Sequence, residues 1–127
     1  MTIDRRPVSF IATAKAEQAL AFYRDVIGLS LVAETPFAII FNDCGHQLRI
    51  QKVPRMVPVP YTSFGWFVTD IYAEIERLRD YDVEFEEFDM VEQDAAMVWT
   101  VPDGAKVAWF RDPDGNLLSL TQEPPIG

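Results

Sequence analysis

The chain has 127 residues, 49% of them hydrophobic and 13% aromatic, which fits one domain with a real core and excludes disorder. A formal net charge of −9 argues against nucleic acid as a partner, because that binding needs Lys and Arg to neutralise phosphate. No apolar run approaches the roughly 20 residues that span a bilayer, and MTIDRRPVSF lacks the long apolar stretch of a secretory signal. The single cysteine, Cys44, excludes an internal disulfide and suits a cytoplasmic protein.

Residues 8–13 (VSFIAT) read as a strand and 15–27 (KAEQALAFYRDVI) as a helix, with Ala16, Ala19, Leu20, Tyr23 and Ile27 on one face and Gly28 as its stop. Leu29 to Glu34 reads as a second strand. Phe37–Phe41 and Gln47–Lys52 flank Asn42-Asp43-Cys44-Gly45, a hairpin turn. Pairing Phe41 with His46, Ile39 with Leu48 and Phe37 with Ile50 puts those six on a face suited to a helix. Ala38, Ile40, Gln47, Arg49 and Gln51 then lie on the other.

VPRMVPVP, residues 53–60, holds three prolines and is the best linker in the chain. The order of elements then restarts. Residues 63–69 read as a strand, Asp70 as the N-cap of a helix over 71–79, and Ile71, Ile75 and Leu78 as its apolar face. Residues 83–88, a segment around 97–101, 105–111 and 116–121 complete the strands, with turns at Pro102-Asp103-Gly104 and Asp112-Pro113-Asp114-Gly115.

The whole is therefore a βαβββ repeat in one domain over 1–127, with module one about 7–52 and module two about 62–122. Charge divides unevenly between the halves. Residues 1–61 hold seven Lys or Arg and five Asp or Glu, while residues 62–127 hold four and fifteen. Much of the acid lies between Asp80 and Asp94, which reads as a solvated face.

FYRDVIGLSL (22–31) and FRDPDGNLLSL (110–120), at this separation and with this repeat, resemble the vicinal oxygen chelate superfamily, which includes glyoxalase I, extradiol dioxygenases and the fosfomycin- and bleomycin-resistance proteins. The resemblance implies an α+β fold in which two βαβββ modules form a cupped mixed sheet, helices on the outer face, and a homodimer. It also implies four metal-ligand positions, usually His or Glu. Counted onto this chain they are Val8, Arg49, Ser63 and Ser119. Val8 has no donor, Arg49 repels a cation, and Ser hydroxyls are weak ligands beside imidazole or carboxylate. His46, the single histidine, lies beside a hairpin turn.

The expectation is a metal-free pocket without a cofactor, lined by Val8, Phe10, Gln47, Arg49, Ser63, Phe67 and Ser119. Trp109 is a further candidate whose facing, like that of Trp99, the sequence leaves open. Such a pocket suits a small, partly apolar, anionic molecule gripped by Arg49. The alternative for Arg49 is an ion pair with an Asp or Glu of the neighbouring module or subunit. Three functions compete: a binding protein, a lyase, isomerase or dioxygenase-type enzyme of the same superfamily with a nonstandard site, and a subunit whose role is association. Catalytic residues are not identifiable from the sequence.

Overall fold

A computed structural model describes residues 4–126. The first three residues of the N-terminal stretch, and Gly127, lie outside the described residues. The chain divides into two compact units, Met1–Val57 and Pro58–Gly127, parting within the proline segment. The fold is α+β, with one four-stranded mixed sheet in each unit. Among the described residues no helix is long and apolar enough to cross a membrane.

The first unit holds β1 (Val8–Thr13), α1 (Ala16–Ala21), β2 (Ser30–Glu34), β3 (Ala38–Asp43) and β4 (His46–Lys52), with sheet order β1-β4-β3-β2. β1 runs parallel to β4, and the other neighbours are antiparallel. The predicted helix over 15–27 is α-helical only through Ala21 and continues as a π-helical segment over Phe22–Ile27. Its end is held by the Tyr23 carbonyl, which accepts from Gly28 N at 3.1 Å and Leu29 N at 2.9 Å. Gly28 takes φ 93° there, a value that favours glycine. A 3.6-residue apolar periodicity does not distinguish the wider π turn from an α turn, so the sequence does not show it.

The hairpin register differs from the expected one by two residues: Phe41 faces Leu48, Ile39 faces Ile50, and Asp43 faces His46. The cause is a tighter turn. Cys44 and Gly45 both take positive φ, 50° and 90°, and close a two-residue loop. A slip of two preserves strand parity, so the assignment of residues to faces survives. Ile11, Ile39, Phe41, Leu48 and Ile50 form the core with Ala19 and Tyr23, whose ring lies 6.1 Å from that of Phe41. Each buried Ile, Leu or Phe side chain here contributes about 1.5–3 kcal/mol. Phe37, expected in this core, is 79% exposed, because it precedes β3 at the outer end of the ladder.

The second unit holds β5 (Thr62–Phe67), α2 (Ile71–Arg79), β6 (Trp99–Thr100), β7 (Lys106–Arg111) and β8 (Leu117–Gln122), in order β5-β8-β7-β6. Asp70 caps α2, its carboxylate accepting from Ala73 N at 3.2 Å, and Gln122 Oε1 accepts from Ile71 N at 2.9 Å. Ile71, Ile75 and Leu78 are buried, as are Ala108, Phe110, Leu118 and Leu120 on the sheet.

The strand expected at 83–88 does not form. Only Phe85 bridges to Phe110, with Glu86 N donating to Trp109 O at 2.8 Å. The reason lies in Gln93. Its side chain accepts from Phe88 N at 2.7 Å and donates to Glu86 O and Met97 O, both at 2.9 Å. Backbone groups that a strand would pair are thereby satisfied within a folded loop.

Candidate functional site

In the first unit β4 presents Gln47, Arg49 and Gln51 on the face away from Leu48 and Ile50. Val8 stands beside Gln47, while Phe10 and Ile40 flank Arg49 from either side. Val8 and Phe10 are 41% and 53% exposed, so this face leaves apolar surface uncovered. The Arg49 Nε donates to Gln47 Oε1 at 2.8 Å. Among the described residues no carboxylate ion-pairs with Arg49. A neutral amide does not compensate the cation's charge.

His46 lies on the opposite face, its Nε2 2.7 Å from Ser9 Oγ, which removes it from the surface that carries Arg49. At one end of the same sheet, residues before β1 and the turn after β3 line an open cavity of about 450 Å³ that includes Val8 and Gln47.

In the second unit β8 places Ser119 between Gly65 of β5 and Trp109 of β7. The structure thus settles the facing of both indoles. Trp109 shares the face of Ser119, and Trp99 joins it through Val107. The two indoles stack with centroids 6.1 Å apart and planes 19° from parallel, and Phe88 meets Trp109 edge-on at 5.2 Å. Phe67 stands opposite Thr121 on this face and is 74% exposed. Ser63 falls at the register shift of β5, where Thr62 pairs with Leu117 and Phe64 with Leu118, so it is the extra residue of a bulge and has no direct partner on β8.

Ser119 packs tightly. A Cβ added to Gly65 would collide with Ser119 Oγ and stand 2.9 Å from its carbonyl oxygen. The bare glycine is what allows any side chain at 119 to lean toward β5. A cleft of about 480 Å³ beside Trp99 is lined by Glu92, Gln93, Asp94 and Thr100 and does not include Ser119.

The loop that carries Phe88 is organised by carboxylate and amide together. Asp94 Oδ1 accepts from Ala96 N at 2.9 Å and Val98 N at 3.0 Å, and Tyr72 Oη donates to Asp94 Oδ2 at 2.6 Å. Burial works to raise the Asp94 carboxyl, but the Tyr72 hydroxyl, the two amides and Lys106 outweigh it and hold the group below its usual range. The same hydrogen bond, with burial second, raises the Tyr72 phenol.

The turn before β8 is built on one buried carboxylate. Asp112 Oδ1 accepts from Asp114 N and Asn116 N, each at 2.9 Å, and Oδ2 accepts from Asn116 Nδ2 at 2.8 Å. Arg111 Nη1 donates to Gly115 O at 2.9 Å and its Nε to Glu86 Oε1 at 2.7 Å. The Asp-Pro-Asp-Gly-Asn sequence is thus a structural device in this chain.

A metal ion of the kind the resemblance implies finds no fitting donor set. Val8, Arg49, Ser63 and Ser119 offer two neutral hydroxyls and a cation, and the described residues contain no cluster of three or more His, Cys, Asp or Glu suited to a metal. Sequence reasoning missed Phe88 as a neighbour of Trp109, because it stands on a loop that periodicity does not describe.

No curated protein matches the chain. Solved structures do share its fold. Lactoylglutathione lyase from Agrobacterium tumefaciens superposes with a TM-score of 0.74 at 20% identity, covering 96% of each chain. The fosfomycin resistance protein FosX from Listeria monocytogenes gives 0.75 at 14% identity over 96% of this chain and 95% of its own. TnmS3, an antibiotic binding protein from a Streptomyces species, gives 0.70 at 22% identity over 98% of this chain and 100% of its own. The model of the glyoxalase/bleomycin resistance protein/dioxygenase superfamily matches residues 7–120, nearly the whole chain, and the protein belongs to that superfamily.

Proposed function

We propose that the protein binds a small, partly apolar organic anion on the sheet face that carries Arg49, and that it does so without metal-dependent chemistry. One observation carries this reading: a guanidinium stands between Phe10 and Ile40 on an incompletely covered apolar face, with an amide and, among the described residues, no carboxylate as its partner. A planar cation with free donors beside apolar surface is what a carboxylate or phosphate on a hydrophobic body needs. In the second unit, Trp109 and Trp99 offer an aromatic surface, with Ser119 and Thr121 as its hydroxyls. The donor set supports the metal-free part of the proposal, since neither hydroxyls nor a guanidinium suit a divalent ion. Likeness to an antibiotic binding protein is compatible with sequestration as the purpose.

Titration calorimetry tests this with naphthoate as probe and naphthalenemethanol as its uncharged counterpart. The acid is expected to bind and the alcohol to bind at least tenfold more weakly. Arg49→Met is expected to weaken the acid by about ten- to a hundredfold, the range of one charge-assisted hydrogen-bonded contact, at unchanged melting temperature. Equal affinities for acid and alcohol, or an unaffected Arg49→Met variant, would remove the reading. Metal-dependent turnover of a thiohemiacetal or a catechol would put an enzyme in its place.

A further inference from the structure

The segment that leads into β1 and the turn joining β3 to β4 meet at one end of the first sheet. They line the cavity of about 450 Å³ noted above, which is open to solvent. Arg5, Arg6, Asn42 and Gln47 are among the residues that line it, with Gly45 at the turn. Asp4 is the one carboxylate there, against two guanidiniums. Among the described residues neither arginine forms an ion pair, and Asp4 forms none either. The Gln47 Oε1 is already taken by Arg49 Nε, which leaves its amide nitrogen as the end able to donate to an anion. Two cations, two side-chain amides and a cavity large enough for a small anion are thus gathered in a chain whose net charge is −9. The acid of the second half repels an anion, whereas residues 1–61 hold seven Lys or Arg against five Asp or Glu. Local guanidiniums favour one here, and their forked donors suit an oxyanion better than a halide.

We propose that this cavity is an oxyanion site that takes the phosphate or carboxylate group of a small molecule through Arg5, Arg6 and the Gln47 amide. It does not depend on the binding assigned to Arg49, because its two cations precede β1 and lie off the sheet. Arg49 touches it only through Gln47.

The test is titration with inorganic phosphate, and separately with acetate, at constant ionic strength set by chloride. Binding is followed by thermal shift and calorimetry in the parent, an Arg5→Ala/Arg6→Ala double variant, Arg49→Met and Arg55→Ala. The expected result is a saturable rise in melting temperature in the parent, weakened at least tenfold in the double variant and kept in Arg55→Ala, an exposed arginine outside the cavity. Retention in Arg49→Met separates this site from the face that Arg49 serves. No saturable response to either anion would overturn the proposal. So would equal weakening in the double variant and Arg55→Ala, which would reduce the effect to net charge. Loss in Arg49→Met alone would move the anion to the sheet face and overturn it as well. Phosphate binding with none of acetate would assign the site to phosphoryl groups, and the reverse to carboxylates.

Discussion

Arg49 of β4 and Ser119 of β8 occupy equivalent places in the two modules, yet their surroundings are built to opposite specifications. Arg49 stands between Phe10 and Ile40, large neighbours that support a long stem and leave its head free. Ser119 stands between Gly65 and Trp109, one neighbour without a side chain and one with the largest. In the first module the position projects charge. In the second it packs against a bare strand and hands the surface to indoles. The turns before these two strands differ in the same sense. Cys44-Gly45 closes the first hairpin by backbone conformation alone, whereas Asp112 wires the second through three hydrogen bonds to a buried carboxylate. One repeat thus carries two kinds of surface, and the difference comes from neighbours rather than from topology.

Breaking the second turn should have the largest effect. Asp112→Ala strands two backbone amides and the Asn116 side-chain amide in a buried place. It is expected to cost about 3 kcal/mol, seen as a melting temperature lower by roughly 10 °C. Gly65→Ala follows, at about 1–3 kcal/mol for overpacking against β8. Adding Ser119→Gly should recover only part of that loss, because the Ser119 carbonyl oxygen still stands 2.9 Å from the new Cβ. Full recovery in the double variant would show that the hydroxyl alone sets the spacing of β5 and β8.

A smaller effect separates the acidic loop of the second module from the first. The Asp94 carboxyl holds its proton less firmly folded than unfolded. Its contribution to stability is therefore present above the ordinary value of 3.8 and fades as pH falls through the lowered folded value. Denaturant midpoints measured down the acid limb should fall less steeply in Asp94→Asn than in the parent. A slope equal to the parent's would place the acid sensitivity elsewhere. Smallest is Cys44→Asn in the first hairpin. Asparagine tolerates positive φ better than cysteine, so a gain of about 0.5 kcal/mol is expected by chemical denaturation.

How much of this was legible in the sequence depended on range. Asp70 and the α2 face declare themselves within a turn of helix, and their limits agree with the structure. The faces of β4 followed from parity, which is why Val8, Phe10, Gln47 and Arg49 share a surface even though the hairpin register was two residues off. That error came from Cys44, which carries none of the usual signals for a left-handed turn residue. The strand expected at 83–88 failed because its alternation says nothing about Gln93, five or more residues away, which captures its backbone groups. The facing of Trp99 and Trp109 needed the β6–β7–β8 register, and Ser63 needed the bulge. Neither leaves a mark in local sequence.

The central claim is that Arg49 is held ready for an external anion. A crystal structure of the naphthoate complex tests it most directly. The account predicts the carboxylate within hydrogen-bonding distance of the Arg49 guanidinium, with the ring system against Phe10. A carboxylate bound elsewhere, or Arg49 turned onto an Asp or Glu of a second copy of the chain, would contradict it.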